Sequence, residues 1–293
     1  MSDQLEAYCH APIGIFDSGV GGTTVLRAIR QILPHEPLLY LADQARCPYG
    51  PRPTHELRRF SMENTQWLLQ RGAKMIVVAC NTASAAALRW LRNQLPDVTF
   101  VGMVPALKPA ALSSQSGVVG VLATPATMQG ALLQEVREQW AQGVTLVERV
   151  GDGLVPLIEA GRWDDEVTRA LLWRYLEPMV EAGADRVVLG CTHYPYLIPL
   201  IEALAPTLQI IDAAPAVAQQ VARLINDQGI ANRDAGATVC YATSGAPATF
   251  AALLTALQAP PGDVIGVEEP CPTDRKNEIS SRWSFIHHNV RER

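Results

Sequence analysis

Two cysteines follow two similar apolar runs, and the chemistry they could perform is the most informative feature of the sequence. The runs are Met75-Ile-Val-Val-Ala-Cys80 and Arg186-Val-Val-Leu-Gly-Cys191, and a Gly-Ala pair lies just upstream of each. Short, β-branched and uninterrupted runs predict strands that are buried on both faces of a parallel sheet. Because ligands of open α/β sheets bind at the carboxyl ends of the strands, we expect both thiols to face one cleft.

A symmetric pair of thiols suits proton transfer on the two faces of one carbon. One thiolate removes a proton while the opposite thiol delivers one, which inverts a stereocentre by general acid and base catalysis. A nucleophilic hydrolase would instead need one cysteine, a histidine base and an oxyanion hole on one side. A helix N-terminus after each strand, or a neighbouring imidazole such as His193, would make a thiolate available. Hydrogen-bonding residues follow both thiols (Asn81-Thr82 and Thr192-His193), which favours function over structure.

Composition narrows the classes of chemistry and of partner. The chain has three lysines. Lys74 lies at the start of a predicted strand, which is the end opposite the carboxyl edge. Lys108 lies in a predicted linker and Lys276 lies in the tail. None suits a pyridoxal Schiff base at the carboxyl edge of a sheet, so we expect no cofactor. The six cysteines form no C-x-x-C pair, so we expect no metal and predict free thiols in a reducing cytosol. They are Cys9, Cys47, Cys80, Cys191, Cys240 and Cys271.

Charge and hydropathy give further expectations about location. The formal net charge of the 293 residues is −5, so no basic field attracts nucleic acid. No apolar run reaches the length of a membrane span, and no export signal precedes the first strand. We therefore expect a cytoplasmic protein that binds neither nucleic acid nor membrane. The sequence leaves the oligomeric state open, with a homodimer as one option.

The order of elements predicts a duplicated α/β architecture. Strand, polar turn and helix over Ile13–Ile32 are repeated from Gly117 to Trp140, and each repeat is followed by its own thiol strand. Alternation of this kind predicts parallel sheets with right-handed crossovers. We expect two pseudo-symmetric three-layer α/β/α domains with mainly parallel sheets and the active site in the cleft between them. The predicted boundaries are 12–104 plus 213–268 for the first domain, 105–212 for the second and 269–293 for a C-terminal tail.

Two further segments could contact a ligand. The glycine-rich turn Asp17-Ser-Gly-Val-Gly-Gly-Thr23 matches neither the dinucleotide fingerprint nor a P-loop. One interpretation is a tight turn before a helix that is capped by Thr23 or Thr24. The other is a turn that presents its amides to a ligand carboxylate, with Asp17 and Ser18 facing the cleft. The segment Pro48-Tyr49-Gly50 is either a rigid loop or one that offers the Tyr49 hydroxyl and Gly50 amide to a carboxylate.

Four motifs resemble, in order and spacing, those of the bacterial glutamate racemase family. They are Asp17-Ser-Gly-Val-Gly-Gly22, Pro48-Tyr-Gly50, Cys80-Asn-Thr82 and Gly190-Cys-Thr-His193. The likeness extends over about residues 13 to 268. It implies a cofactor-independent enzyme that interconverts L- and D-glutamate for peptidoglycan synthesis, with two α/β domains that close on the substrate.

The resemblance also implies roles for individual residues. Cys80 and Cys191 would be the catalytic acid/base pair, with Cys191 acting on L-glutamate and Cys80 on the D enantiomer, and Glu159 would orient His193. The implied substrate contacts are Asp17, Ser18, Tyr49, Gly50, Asn81, Thr82, Thr192 and His193. Cys47, beside the Pro-Tyr-Gly segment, departs from the family's pattern and would be an additional thiol near the site.

Other functions fit parts of the same pattern. Another acid racemase would use the same paired thiols, and a maleate-isomerase-like enzyme would use one of them to attack its substrate covalently. An amino-acid-binding module could share the two-domain shape, but binding alone gives no use to paired thiols. The sequence therefore favours an isomerase over a binding protein.

Overall fold

The computed structural model describes residues 9–234 and 237–269, which form two parallel β-sheets. The strands are β1 (Ile13–Asp17), β2 (Leu38–Ala42), β3 (Met75–Val78), β4 (Phe100–Gly102), β5 (Val118–Ala123), β6 (Thr145–Val150), β7 (Arg186–Gly190), β8 (Gln209–Ile211), β9 (Val239–Thr243) and β10 (Asp263–Gly266). Among these strands, one sheet has the order β10-β9-β2-β1-β3-β4 and the other has the order β6-β5-β7-β8. Every strand pair is parallel, which confirms the predicted α/β class.

Helices connect the strands and cover both sheets. Those of the described residues are α1 (Thr23–Ile32), α2 (Thr54–Gln70), α3 (Asn81–Gln94), α4 (Leu107–Ser113), α5 (Pro125–Met128), α6 (Ala131–Trp140), α7 (Leu154–Glu159), α8 (Glu166–Glu181), α9 (Ile198–Leu204), α10 (Ala214–Asp227) and α11 (Pro247–Ala256). None of these helices combines the length and the apolar character that a bilayer crossing needs.

Both faces of each sheet are buried, as the uninterrupted apolar runs predict. In the six-stranded sheet, Ile15 and Val77 belong to the core on the side of α1 and α10, whereas Phe16 and Val78 belong to the core on the side of α2 and α3. The four-stranded sheet is covered in the same way, by α4 and α6 on one face and by α8 on the other. Each sheet is therefore the middle layer of three.

The strand order brings the thiols beside polar residues of neighbouring strands. In the first sheet β1 pairs with β3, so Asp17 and Cys80 leave adjacent strands at the same edge. In the second sheet β5 pairs with β7, so Thr124 and Cys191 do the same. This shared edge is the carboxyl end, where ligands of such sheets bind.

The predicted elements differ from the structure in several places. The helix Thr23–Ile32 is found, but its N-cap is Gly22, because the Thr23 hydroxyl donates back to the Val20 carbonyl at 2.8 Å. The predicted single helix through Trp140 is two helices that meet at Gly130. Lys108 lies in helix α4, and not in a linker, with its ammonium group 3.6 Å from the centre of the Trp140 ring.

Some predictions concern parts of the chain that the structure describes only partly. The sequence also predicts a late strand from Gly236 to Tyr241. That range starts outside the described residues, and the structure has β9 at Val239–Thr243. The predicted tail, apart from residue 269, also lies outside them. The strands of the first sheet lie within 13–102 and 239–266 and those of the second within 118–211. The domain boundaries themselves stay a prediction that agrees with this distribution.

Candidate active site

A pocket of about 120 Å³ opens at the carboxyl edges of both sheets. It is smaller than the ~300–1,000 Å³ of pockets for drug-sized ligands, so it suits a ligand of amino-acid size. Nine of the ten predicted site residues line it: Ser18, Tyr49, Gly50, Cys80, Asn81, Thr82, Cys191, Thr192 and His193. The tenth, Asp17, lies behind the wall.

Cys80 lies between strand β3 and helix α3 and is the N-cap of that helix. Its Sγ accepts a hydrogen bond from the Ala83 amide at 3.5 Å. The positive end of the helix therefore points at the sulfur and favours its thiolate. Burial acts the other way and, together with the nearby Asp17 carboxylate, raises the pKa of the Cys80 thiol well above its ordinary value. Cys80 is thus a thiol in this structure.

Asp17 is fully buried behind Cys80 and joins the two sheets. Its Oδ2 accepts the Gly22 amide at 2.7 Å and the Thr192 hydroxyl at 3.3 Å. Burial raises the pKa of Asp17, and His193 and the hydrogen bond from Cys80 oppose the rise. A buried carboxyl in contact with a thiol is suited to exchange a proton with it.

Cys191 has an imidazole as its neighbour. His193 Nδ1 lies 3.8 Å from Cys191 Sγ, and Nε2 lies 2.6 Å from Glu159 Oε1. Because a carboxylate only accepts, Nε2 carries a proton. Burial lowers the pKa of His193, but its contacts with Cys191, Glu159 and Asp17 outweigh burial and raise it well above the ordinary value. Burial raises the pKa of Glu159, but its bonds from His193, Gln44 and Val20 bring it below the ordinary value.

The glycine-rich turn packs against this pair, and the contact of the turn with a ligand carboxylate stays a prediction. The Val20 amide donates to Glu159 Oε1 at 2.7 Å. A Cβ on Gly19 would lie 1.9 Å from Glu159 Oε1, and one on Gly21 would lie 2.4 Å from His193 Nδ1. The glycines are needed because Glu159 and His193 pack directly against the backbone of the turn.

Tyr49 is turned away from the ligand position that the sequence suggested for its hydroxyl. The ring lines the pocket, but the hydroxyl donates to Asp43 and accepts from Asn64 Nδ2 at 3.1 Å. Burial and the Asp43 charge raise the pKa of Tyr49, which keeps it neutral. In this structure the Tyr49 hydroxyl is engaged by Asp43 and Asn64, and its expected contact with a ligand carboxylate stays a prediction.

Asn81 is the residue of the pocket wall with free hydrogen-bonding capacity. Its side chain is buried, and within the described part of the chain neither its oxygen nor its nitrogen has a partner. An unpaired buried amide costs free energy unless a ligand or water satisfies it. Asn81 is thus well suited to bind a polar substrate group.

Thr124 lines the pocket and is not among the predicted site residues. Its hydroxyl lies 2.8 Å from the hydroxyl of Thr82 and donates to that of Thr127 at 2.8 Å. The bond to Thr82 connects the ends of β3 and β5, which belong to different sheets. The signal in the sequence was its position: Thr124 follows β5 as Asp17 ends β1.

A group with three ligand types lies beside the pocket. The ligand atoms of Cys47, Glu159 and His193 are within 4.8 Å of one another. Such a donor set resembles those of zinc sites. Glu159 and His193 are already paired, however, and burial raises the pKa of the Cys47 thiol, which holds it protonated. The arrangement therefore fits a proton network better than a preformed metal site.

Comparison with known proteins places this site in a family. Residues 18–221 match the family model for Asp/Glu/hydantoin racemases. The chain is 55% identical to a glutamate racemase of Roseiflexus sp. (strain RS-1), over 89% of this chain and 95% of that protein. The chain therefore belongs to the Asp/Glu/hydantoin racemase family, a class of isomerases that act on amino acids.

Solved structures place it among the glutamate racemases of that family. The glutamate racemase of Thermus thermophilus, solved with β-chloro-D-alanine, is 38% identical with a TM-score of 0.73, covering 89% of this chain and 99% of that one. The Escherichia coli enzyme, solved with L-glutamate and the activator UDP-MurNAc-Ala, is 30% identical with a TM-score of 0.76, covering 87% and 100%. Both the fold and the resemblance predicted from the sequence are confirmed.

Proposed function

We propose that this chain interconverts L- and D-glutamate by two-base proton transfer at Cα, with Cys80 and Cys191 as the two bases and without a cofactor. The observation that carries the proposal is that both thiols line one small pocket, each with its own proton-exchanging partner. The thiols belong to different sheets, so a substrate between them presents one face to each.

The reaction moves one proton off the substrate and one on. The thiolate of one cysteine takes the Cα proton, and the thiol of the other gives its proton to the opposite face. The imidazolium of His193 stabilises a thiolate at Cys191, whereas Asp17 leaves Cys80 protonated. In the reverse direction the two cysteines exchange roles, with Asp17 accepting the Cys80 proton.

Polar groups of the wall would bind the substrate. Ser18, Thr82 and Thr192 bring hydroxyl groups, Asn81 brings an unpaired amide and Gly50 brings backbone to the pocket. The unpaired Asn81 amide suits a carboxylate of an amino acid, and the hydroxyl oxygens can accept from an ammonium group. Glutamate is the choice that the relatives support, because they carry the name glutamate racemase and one was solved with L-glutamate.

The product points to a biological role. D-Glutamate is the form that peptidoglycan contains, so we propose that the chain supplies it for cell-wall synthesis in the cytoplasm.

The function is tested with purified protein and L-glutamate, without added pyridoxal phosphate or metal. The circular dichroism of either enantiomer should decay to zero, because the enantiomers have equal energies. L-Aspartate and maleate are the matched controls for the alternative substrates and should react far more slowly. Loss of activity on dialysis against a chelator, restored by a metal, would contradict the cofactor-independent mechanism.

A further inference from the structure

Gln44 and Thr243 lie beside the pair of Glu159 and His193 but outside the pocket wall. Gln44 begins the short 3-10 helix that follows β2, and Thr243 is the last residue of β9. The two strands are paired with Ala42 opposite Thr243, so both residues emerge at the carboxyl edge of the first sheet. Glu159 approaches them from the end of α7, which follows the second sheet's β6.

A chain of hydrogen bonds runs from the backbone at Gly245 to the carboxylate of Glu159. The Gly245 amide donates to Thr243 Oγ1 at 2.9 Å, and that hydroxyl donates to Gln44 Oε1 at 2.8 Å. Gln44 Nε2 then donates to Glu159 Oε2 at 3.0 Å. Every orientation in the chain is determined, because the backbone amide only donates and the carboxylate only accepts.

The two oxygens of Glu159 have different tasks. Oε1 receives His193 Nε2 at 2.6 Å and the Val20 amide at 2.7 Å, and Oε2 receives Gln44. The last torsion of a glutamate side chain is soft, so a carboxylate held at one oxygen alone can rotate. The bond from Gln44 removes that freedom and keeps Oε1 aimed at the imidazole.

We propose that Gln44, held by Thr243, is a positioning residue that fixes the Glu159 carboxylate against His193 and so supports proton transfer at Cys191. This inference rests on the proposed function. It gives the late strand β9 a part in the active site, although neither Gln44 nor Thr243 lines the pocket.

Removal of the Gln44 amide has a defined electrostatic consequence. Hydrogen bonds to a carboxylate lower its pKa, so loss of this bond raises the pKa of Glu159. Other titratable groups also interact electrostatically with Glu159, and the substitution of Gln44 leaves them unaltered. They include His193, Cys47, Tyr40 and Tyr196. Since Glu159 must be ionised to hold the imidazolium, the acid limb of the pH–rate profile moves to higher pH.

The first test is Gln44→Met, which keeps the length of the side chain and removes the donor. We expect kcat to fall about tenfold in the direction in which Cys191 is the base, with KM for that enantiomer changed less than about twofold. The acid limb should move to higher pH, and further still in Gln44→Glu, where a second carboxylate faces Glu159. Gln31→Met, on the exposed side of α1, is the matched control and should change nothing.

The second test separates a relay from two independent contacts. Thr243→Val removes the hydroxyl that holds Gln44. It should therefore lower kcat and move the acid limb to higher pH, as Gln44→Met does, but by less. The double variant should be no worse than Gln44→Met, because residues acting through one another are not additive. Effects that add, or an unchanged kcat and acid limb in Gln44→Met, would overturn the proposal.

A third readout does not need activity. Carbon-13 NMR of the Glu159 carboxyl, assigned with Glu159→Gln, should show a higher pKa in Gln44→Met than in the parent protein. An unchanged pKa would overturn the role of Gln44 even if the parent racemised no glutamate, whereas absent racemisation with a raised pKa would overturn the proposed function alone.

Discussion

The two thiols of the pocket look equivalent in the sequence but have different surroundings in the structure. Cys80 is the N-cap of a 14-residue helix and contacts the buried carboxyl of Asp17. Cys191 is followed by a turn and the 3-10 helix Tyr194–Leu197, and it contacts the imidazole of His193. Of the two expected ways to favour a thiolate, the helix N-terminus is found at Cys80 and the neighbouring imidazole at Cys191.

The difference shows that a duplicated unit can place two thiols in unlike surroundings. At Cys80 the helix terminus favours the thiolate, whereas burial and the Asp17 carboxylate oppose it and favour the protonated thiol. At Cys191 an imidazolium, itself supported by Glu159, takes the place of the missing helix terminus. The two thiols thus differ in their proton-exchanging neighbours, which are a carboxyl group for Cys80 and an imidazole for Cys191. Four predictions test this comparison.

The largest effect should follow loss of either sulfur. Cys80→Ala and Cys191→Ala should each abolish racemisation, because a site with one base can remove a proton but cannot deliver one to the opposite face. Chiral chromatography of glutamate after long incubation measures the residual racemisation. The control is Cys240→Ala, which replaces a buried cysteine outside the pocket. Full activity in either Ala variant would show that one thiol is enough.

His193→Asn should affect the two half-sites unequally. Loss of imidazole assistance should lower turnover about 100-fold in the direction in which Cys191 is the base. The equilibrium constant between enantiomers stays one, so unequal changes in the two kcat values must be matched by the two KM values. Measuring both directions checks this, and equal falls in kcat with unchanged KM would mean that His193 serves both thiols alike.

Glu159→Gln should change the pH dependence of the half-site that contains Cys191 and His193. Glu159 is one of the groups that raise the pKa of His193, so its removal lowers that pKa. The imidazolium is then lost at lower pH, and the alkaline limb of the pH–rate profile should move to lower pH, with roughly a tenfold loss of kcat. NMR titration of the His193 ring gives the pKa directly; an unmoved alkaline limb would remove Glu159 from the mechanism.

The smallest effect should follow replacement of the third thiol. Cys47→Ala should keep kcat within about twofold, because Cys47 lies beside the pair of Glu159 and His193 but makes no proton transfer in the proposed mechanism. If the loop that contains Pro48-Tyr49-Gly50 closes on the substrate, glutamate should protect Cys47 from alkylation in a mass-spectrometric map. The Cys47→Ala variant should lack that one labelled site. Equal labelling with and without glutamate would argue against closure.

Much of this site could be predicted because its residues end strands. Cys80 and Cys191 follow uninterrupted apolar runs, and strands of that kind have a known edge for ligands. Helix α1 was predictable to the residue, since Val25, Leu26 and Ile29 form one buried face. The charged strand β6 was missed because Glu148 and Arg149 hide its pattern, and every residue of it is at least partly exposed.

The remaining parts of the site depend on contacts between distant segments. The direction of the Tyr49 hydroxyl is set by Asp43, and the use of the turn amides is set by Glu159, which is 139 residues away from Val20. Gln44 and Thr243 are ordinary residues until the fold brings them together. No local pattern reports such partners, because composition and periodicity describe burial and not the pairing of polar groups.

The central claim is that two bases act on opposite faces, and deuterium incorporation tests it most directly. Unlabelled L-glutamate is incubated with the protein in deuterated water and stopped early, and the Cα proton of each separated enantiomer is measured by NMR. The account predicts that D-glutamate carries deuterium at Cα while the remaining L-glutamate keeps its proton. The reason is that the thiol that delivers the new hydrogen has taken deuterium from the solvent. Protium retained in the D-glutamate, or deuterium appearing in both enantiomers at equal rates, would indicate a single base and contradict the account.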